Sequence, residues 1–150
     1  MIEKSVGGVI FFREGNRIKY LLLKYKKYWG FVRGNIEKDE RVLETLKREA
    51  IEEANITELE ILPGFKADIN YFYSIGNNAI TKYVVFFVCE TTPENASRVK
   101  ISEEHYNFKW AYYGEAMKML KHKSEKDILE KANKFVMDYI KQERIKKFLK

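Results

Sequence analysis

The stretch GNIEKDERVLETLKREAIEEANI, residues 34–56, decides the reading of this sequence. Residues 40–54 predict a helix. With Glu49 as angular zero and about 100° per residue, Glu52 falls near 300° and Glu53 near 40°, so three carboxylates share one arc. Leu43, Leu46, Ala50 and Ala54 fall between about 60° and 140° and predict the docking stripe. Arg48 lies one turn from both Glu44 and Glu52 and can pair with either. Helix stability does not ask for clustered acids, since two carboxylates about 6 Å apart repel by roughly 3 kcal/mol at an effective dielectric of about 20. A hard divalent cation removes that repulsion; Mg²⁺ takes oxygen ligands and is completed by waters and substrate phosphates. An EExxE pattern alone is more often a solvated acidic face, so the full spacing must carry the argument.

Working outward, residues 4–13 and 17–25 are β-rich runs joined by a Gly15-Asn16 hairpin turn. Residues 58–64, 67–75 and 80–90 predict strands, with Gly76-Asn77-Asn78 as a turn between the last two. KYVVFFVCE is nearly all apolar and suits a central strand. FKWAYY (108–113) predicts a further short strand, followed by a short helix from about Glu115 and a long one from about Glu125. In the long helix Ile128, Ala132, Phe135, Val136, Tyr139 and Ile140 recur at helical spacing and predict one packed face. Strands with few, well-placed helices imply an α+β domain, one sheet covered on its faces. No linker or repeat divides the 150 residues, which predicts a single domain over 1–150.

Composition narrows the function classes. No apolar run approaches the roughly 20 residues of a membrane span. The opening MIEKSVGGVIFFRE, with Glu3 inside it, reads against a signal peptide. Cys89 is the single cysteine, so no internal disulfide forms, and two histidines exclude a Cys/His zinc finger. A cytoplasmic protein is expected. The net charge of +6 favours anionic partners, although much of the excess sits in KQERIKKFLK, where cations suit a helix C-terminus anyway. There is neither a P-loop nor a G-x-G-x-x-G fingerprint. Gly7-Gly8 reads as a bulge or close-packing point, Cys89 as an inert core residue, and His105 as a substrate contact or a surface histidine near the acids.

The spacing of Gly34, Glu40, Arg48-Glu49-Ala50, Glu52-Glu53, Asn55 and Ile56 resembles the signature of the Nudix hydrolases, G-x5-E-x7-R-E-U-x-E-E-x-G-U, where U is apolar. Six positions match in register, and Asn55 stands where the family has its second Gly. Asn is the next-best residue for the left-handed conformation that ends such a helix. The loop WGFVRG (29–34) is similar to the family's W-x-F-P-K-G, with Val32 for Pro and Arg33 for Lys. The resemblance implies an α/β/α sandwich with a mixed sheet and the hydrolysis of a nucleoside diphosphate linked to another group. It further implies Mg²⁺, with Mn²⁺ able to substitute. The implied metal ligands are Glu49, Glu52, Glu53 and the backbone carbonyl of Arg33, and one acidic group, with Glu49 and Glu52 among the catalytic candidates, would deprotonate the attacking water. Glu40 and Arg48 would be supporting and orienting partners.

Features outside this segment bear on the substrate. SEEHYNFKW (102–110) resembles the E-H-x-x-x-x-W segment of the asymmetrical dinucleoside tetraphosphatases and implies Glu104 as a further metal ligand or general base. Tyr71 and Tyr73 resemble tyrosines of the same branch and would stack on a base, although a cross-strand aromatic pair explains them equally well. Lys82 resembles a phosphate-touching lysine, Tyr28 stands where the branch often has a His beside the base, and Arg33 would face phosphate. The expected reaction is asymmetrical cleavage of diadenosine tetraphosphate to ATP and AMP. The rival readings are a 5′-pyrophosphohydrolase acting on RNA 5′ ends, a nucleoside-triphosphate pyrophosphatase, and a non-catalytic nucleotide-binding regulator. No membrane partner is expected; the oligomeric expectation is a monomer, with a dimer left open.

Overall fold

A computed structural model describes residues 1–150. Two long strands form its spine. β1 (Ile2–Glu14) and β7 (Asn78–Glu90) run parallel from Ile2↔Thr81 to Phe11↔Glu90. Every other pairing is antiparallel. The other edge of β1 is shared by β2 (Arg17–Lys24) and β4 (Val32–Asn35), with β3 (Trp29–Gly30) and β8 (Asn107–Ala111) added to β2. β5 (Glu60–Ile61) and β6 (Ala67–Ile75) pair with the other side of β7. KYVVFFVCE is therefore an interior strand, as its composition predicts.

Period-2 alternation sends side chains to two separate cores. Val9 and Phe11 of β1, Tyr20 and Leu22 of β2, and Val84, Phe86 and Val88 of β7 meet two helices, α3 (Tyr113–Met119) and α4 (Lys123–Phe148). Val6, Ile10, Leu21, Leu23 and Cys89 meet Leu46, Ala50 and Ala54 of α1 (Val42–Ala54) on the other face. The result is the expected α/β/α sandwich around a mixed sheet. Ile128, Ala132 and Val136 of α4 are buried, and Phe135, Tyr139 and Ile140 pack at the margin of the same core. No helix is long and apolar enough to cross a membrane.

Several boundaries move for local physical reasons. α1 begins at Val42, because Glu40 turns back to accept hydrogen bonds from Thr45 Oγ1 and the Glu37 amide instead of joining the helix. Leu43, predicted in the docking stripe, is 43% exposed; the buried face is Thr45, Leu46, Ala50, Glu53 and Ala54. The strand predicted over 58–64 shrinks to Glu60–Ile61, cut off by Pro63 and by Gly64 at φ +98°. Residues 29–34, read as a loop, form β3 and most of β4. A four-residue helix, α2 (Pro93–Ala96), was not foreseen. β8 ends at Ala111, α3 starts at Tyr113 and α4 at Lys123, each a little earlier than predicted. Asn78 belongs to β7, which leaves Gly76-Asn77 as a two-residue turn; Gly76 and Gly15 both take φ +60° at the first turn position. Gly7 is a close-packing point: a Cβ there would overlap the Phe86 ring.

Candidate active site

The end of α1 is set by Asn55, which adopts φ 57° and ψ 32° as the residue-level argument predicts. Its amide reaches the Ile51 carbonyl and the Ile56 amide reaches that of Ala50, closing the helix so that Glu49 and Glu53 remain one turn apart on ordered backbone.

Arg48 ties the acid before this helix to two acids within it. Its guanidinium donates to Glu40 through Nε at 2.7 Å and to Glu49 and Glu52 through Nη1 at 2.9 and 3.0 Å. Glu44, the other predicted partner, instead lies near Arg41. Hydrogen bonds from Arg48, then Thr45, hold the Glu40 carboxyl down at about 2. Glu40 and Arg48 thus form a bracket that braces Glu49.

Glu49 behaves in the opposite way. Burial, followed by the negative charge of Glu53, raises its carboxyl to about 7, against the pull of Arg48. A Cβ on Gly34 would overlap the Glu49 carboxyl group, so a glycine is required where β4 passes this side chain. Glu53 is 6% exposed; its carboxyl group accepts from the Arg33 amide at 3.0 Å and shares a hydrogen bond of 2.7 Å with His105 Nε2. His105 is buried rather than on the surface, and its place behind Glu53 gives it a structural use that the sequence did not reveal.

These groups line a cavity of about 340 Å³ that brings together Glu49, Glu53, Glu104, Arg33, Gly34 and Lys82. Ligand atoms of Glu53, Glu104 and His105 lie within 4.8 Å of one another. Glu52 does not line the cavity; its side chain is 57% exposed and bound to Arg48 at the rim. Lys82 stands inside β7 rather than at its end and donates to Asn35 Oδ1 at 2.9 Å, with Glu3 at 3.5 Å. The donor set is oxygen-rich, with Glu37, Glu49, Glu53 and Glu104 facing the cavity against Arg33 and Lys82. Such a set fits a hard divalent cation.

A second cavity of about 350 Å³ adjoins the first through Arg33, which lines both. Tyr28 and Tyr71 line it with Ile69, and His122, Ser124 and Glu125 close it from the start of α4. Tyr28 stacks on Tyr25, with centroids 5.0 Å apart and planes 13° from parallel, and its hydroxyl accepts from Arg33 Nη2 at 2.6 Å. Tyr73 lies outside this cleft; its hydroxyl donates to Glu3 at 2.7 Å.

Known proteins share this fold. The NUDIX domain profile matches residues 1–132. The mouse bis(5′-nucleosyl)-tetraphosphatase [asymmetrical] is 28% identical over 147 residues, covering 91% of this chain and 97% of the mouse protein. The Caenorhabditis elegans protein of that name is 26% identical over 142 residues, covering 93% and 100%. A crystal structure of a C. elegans Ap4A hydrolase binary complex superposes with a TM-score of 0.78 at 27% identity, covering 91% of this chain and 98% of that one.

Proposed function

The chain belongs to the Nudix family, and on that premise we propose that it hydrolyses dinucleoside polyphosphates in a divalent-cation-dependent reaction, cutting diadenosine tetraphosphate asymmetrically to ATP and AMP. The observation that carries this reading is the adjacency of two cavities of different chemistry, one acidic and one aromatic, joined by Arg33. A phosphate chain with a base at its end needs both.

In this reading Glu49, Glu53 and Glu104 hold the cation from the cavity, Glu52 completes the set from the rim, and the Arg33 carbonyl contributes from β4. Mg²⁺ is the expected ion, with Mn²⁺ as a substitute. When bound, it neutralises phosphate charge and lowers the pKa of water. The chain's own residues do the rest. Arg48 and Glu40 fix the Glu49 side chain, and His105 and the Arg33 amide fix that of Glu53. Glu104 reaches the cavity from the segment before β8, a separate element, and accepts the proton of the attacking water. Lys82 and the Arg33 guanidinium face the phosphates, and Arg33 offers a directional fork. Tyr28 and Tyr71 supply ring faces for the base. Positioning of this kind accounts for much of the acceleration in phosphoryl chemistry.

The test is product analysis of diadenosine tetraphosphate incubated with the protein and Mg²⁺. Equimolar ATP and AMP are expected. ADP as sole product, or no cleavage, would overturn the proposal. Parallel reactions with 5′-triphosphorylated RNA and with nucleoside triphosphates separate the rival substrate classes, and a catalytically inert protein would instead support the regulator reading.

A further inference from the structure

One hydrogen-bond donor in the wall of the acidic cavity has no partner in the chain. Asn35, the last residue of β4, lines that cavity with Ser5 of β1 and Lys82 of β7. Its Oδ1 lies 2.7 Å from Ser5 Oγ and 2.9 Å from Lys82 Nζ. An ammonium group can only donate, so the amide atom facing Lys82 is the oxygen. The Ser5 hydroxyl, on a residue 2% exposed, donates to the same atom. A carbonyl oxygen has two lone pairs, and both are thereby taken. Arg48 reaches the main-chain carbonyl of Asn35 and not its side chain. Nδ2 is left without a hydrogen bond, on a residue that is exposed. Two fixed neighbours therefore hold the amide in one orientation with its donor end free.

Strand register places this donor relative to Arg33. Arg33 pairs with Gly7 and Asn35 with Ser5, so the two side chains leave the same face of β4, two residues and roughly 7 Å apart. Arg33 lines both cavities, whereas Asn35 and Lys82 line only the acidic one. Asn35 thus stands one step beyond Arg33 on the way out of the aromatic cleft. We propose that Asn35 is a specificity-determining residue for the length of the phosphate chain, its Nδ2 donating to a phosphate at least two links farther from the base than the one Arg33 meets. The inference rests on reading the aromatic cleft as the base subsite and the acidic cavity as the phosphate site. The pairing has one sense, because an ionised phosphate oxygen accepts and an amide N–H donates. A chain of two phosphates ends short of Asn35; a chain of four passes it. Lys82 attracts phosphate as a point charge, while the amide, already oriented by Ser5 and Lys82, adds direction at little cost in ordering.

The test is calorimetric titration of the full chain, in Mg²⁺, with methylene-bridged analogues of ADP and of adenosine 5′-tetraphosphate, which bind without turnover. Asn35→Ala should weaken the tetraphosphate analogue about 10- to 100-fold, the range for a hydrogen bond to a charged group, and leave the ADP analogue within about threefold. Lys82→Met separates direct donation from an effect passed through the lysine: in that background Asn35→Ala should still cost the longer analogue about fivefold or more. Asn35→Asp keeps an acceptor for Ser5 and Lys82 but offers no donor. It should show the same selective loss, and it decides the question should Asn35→Ala fail to fold. Equal losses on both analogues, no loss on the longer one, or no further loss in the Lys82→Met background would overturn the assignment. Failure of the proposed reaction would be seen separately. A length preference that depends on Asn35, without cleavage of diadenosine tetraphosphate, would leave this role standing; asymmetrical cleavage with the length preference unchanged in Asn35→Ala would sink this role alone.

Discussion

Removing the charge of Glu49 is the perturbation whose size follows most directly from the structure. In the unfolded chain this carboxyl titrates near 4.5; in the folded protein burial and the Glu53 charge raise it to about 7. Below pH 4.5 both states hold the proton and the group contributes nothing. Between about 4.5 and 7 the folded protein retains a proton that the unfolded chain has released. Stability of the cation-free protein therefore falls as pH rises through this window, and above pH 7 the full cost is present. The upper bound is ~3 kcal/mol, and solvent at the cavity mouth reduces it to about 1–3 kcal/mol. Glu49→Gln cannot ionise, and Arg48 keeps Glu40 and Glu52 as partners in its absence. Thermal unfolding in EDTA from pH 5 to pH 8 should show the variant gaining on the parent by about 3–10 °C across that range. Other titrating groups are common to both proteins and cancel in the difference. Mg²⁺ should raise the melting temperature of the parent more strongly at pH 8 than at pH 5, because it binds the ionised form. Parallel melting curves for parent and variant at every pH would refute the reasoning.

Three further outcomes are expected. His105→Ala removes one of the two donors that hold Glu53 and should weaken Mg²⁺ or Mn²⁺ binding about 10- to 100-fold, the usual cost of losing a ligand-orienting partner; calorimetric titration reads this directly, and unchanged affinity would contradict it. Tyr71→Ala should raise KM for the dinucleotide about 5- to 100-fold with little change in kcat, while Tyr73→Ala, outside the cleft, should leave both parameters nearly unchanged. Asn55→Gly should leave the melting temperature nearly unchanged, whereas Asn55→Ala, forced into the left-handed region, should cost about 1–2 kcal/mol, read by denaturant unfolding.

The segment 34–56, with its helix, was legible because its information is local. Fixed intervals along one helix place Arg48, Glu49 and Glu53, and Asn55 supplies the conformation that ends it. The central strand was legible from its apolar run. What escaped the sequence depends on distant pairings. His105 lies 52 residues from Glu53, and nothing in EEHYNF announces that one acid is turned to the solvent-facing cavity while the neighbouring imidazole is buried. Glu52 and Glu53 are adjacent in sequence, yet Arg48 holds one at the rim and Arg33 and His105 hold the other inside. Helical spacing puts both on one arc but carries no information about which distant partner each side chain meets. Tyr71 and Tyr73 likewise looked equivalent, being two residues apart on a strand, until the cleft made by the start of α4 selected Tyr71.

The central claim is that the carboxylates of α1 and Glu104 hold a cation against a phosphate chain. Anomalous diffraction from crystals grown with Mn²⁺ and a non-hydrolysable dinucleoside tetraphosphate tests it most directly. The account predicts a manganese peak in the cavity with carboxylate oxygens of Glu49 and Glu53 among its ligands and phosphate oxygens completing the shell. A peak remote from that cavity, with Glu49 still turned to Arg48 and Glu53 still engaged only by His105 and the Arg33 amide, would contradict it.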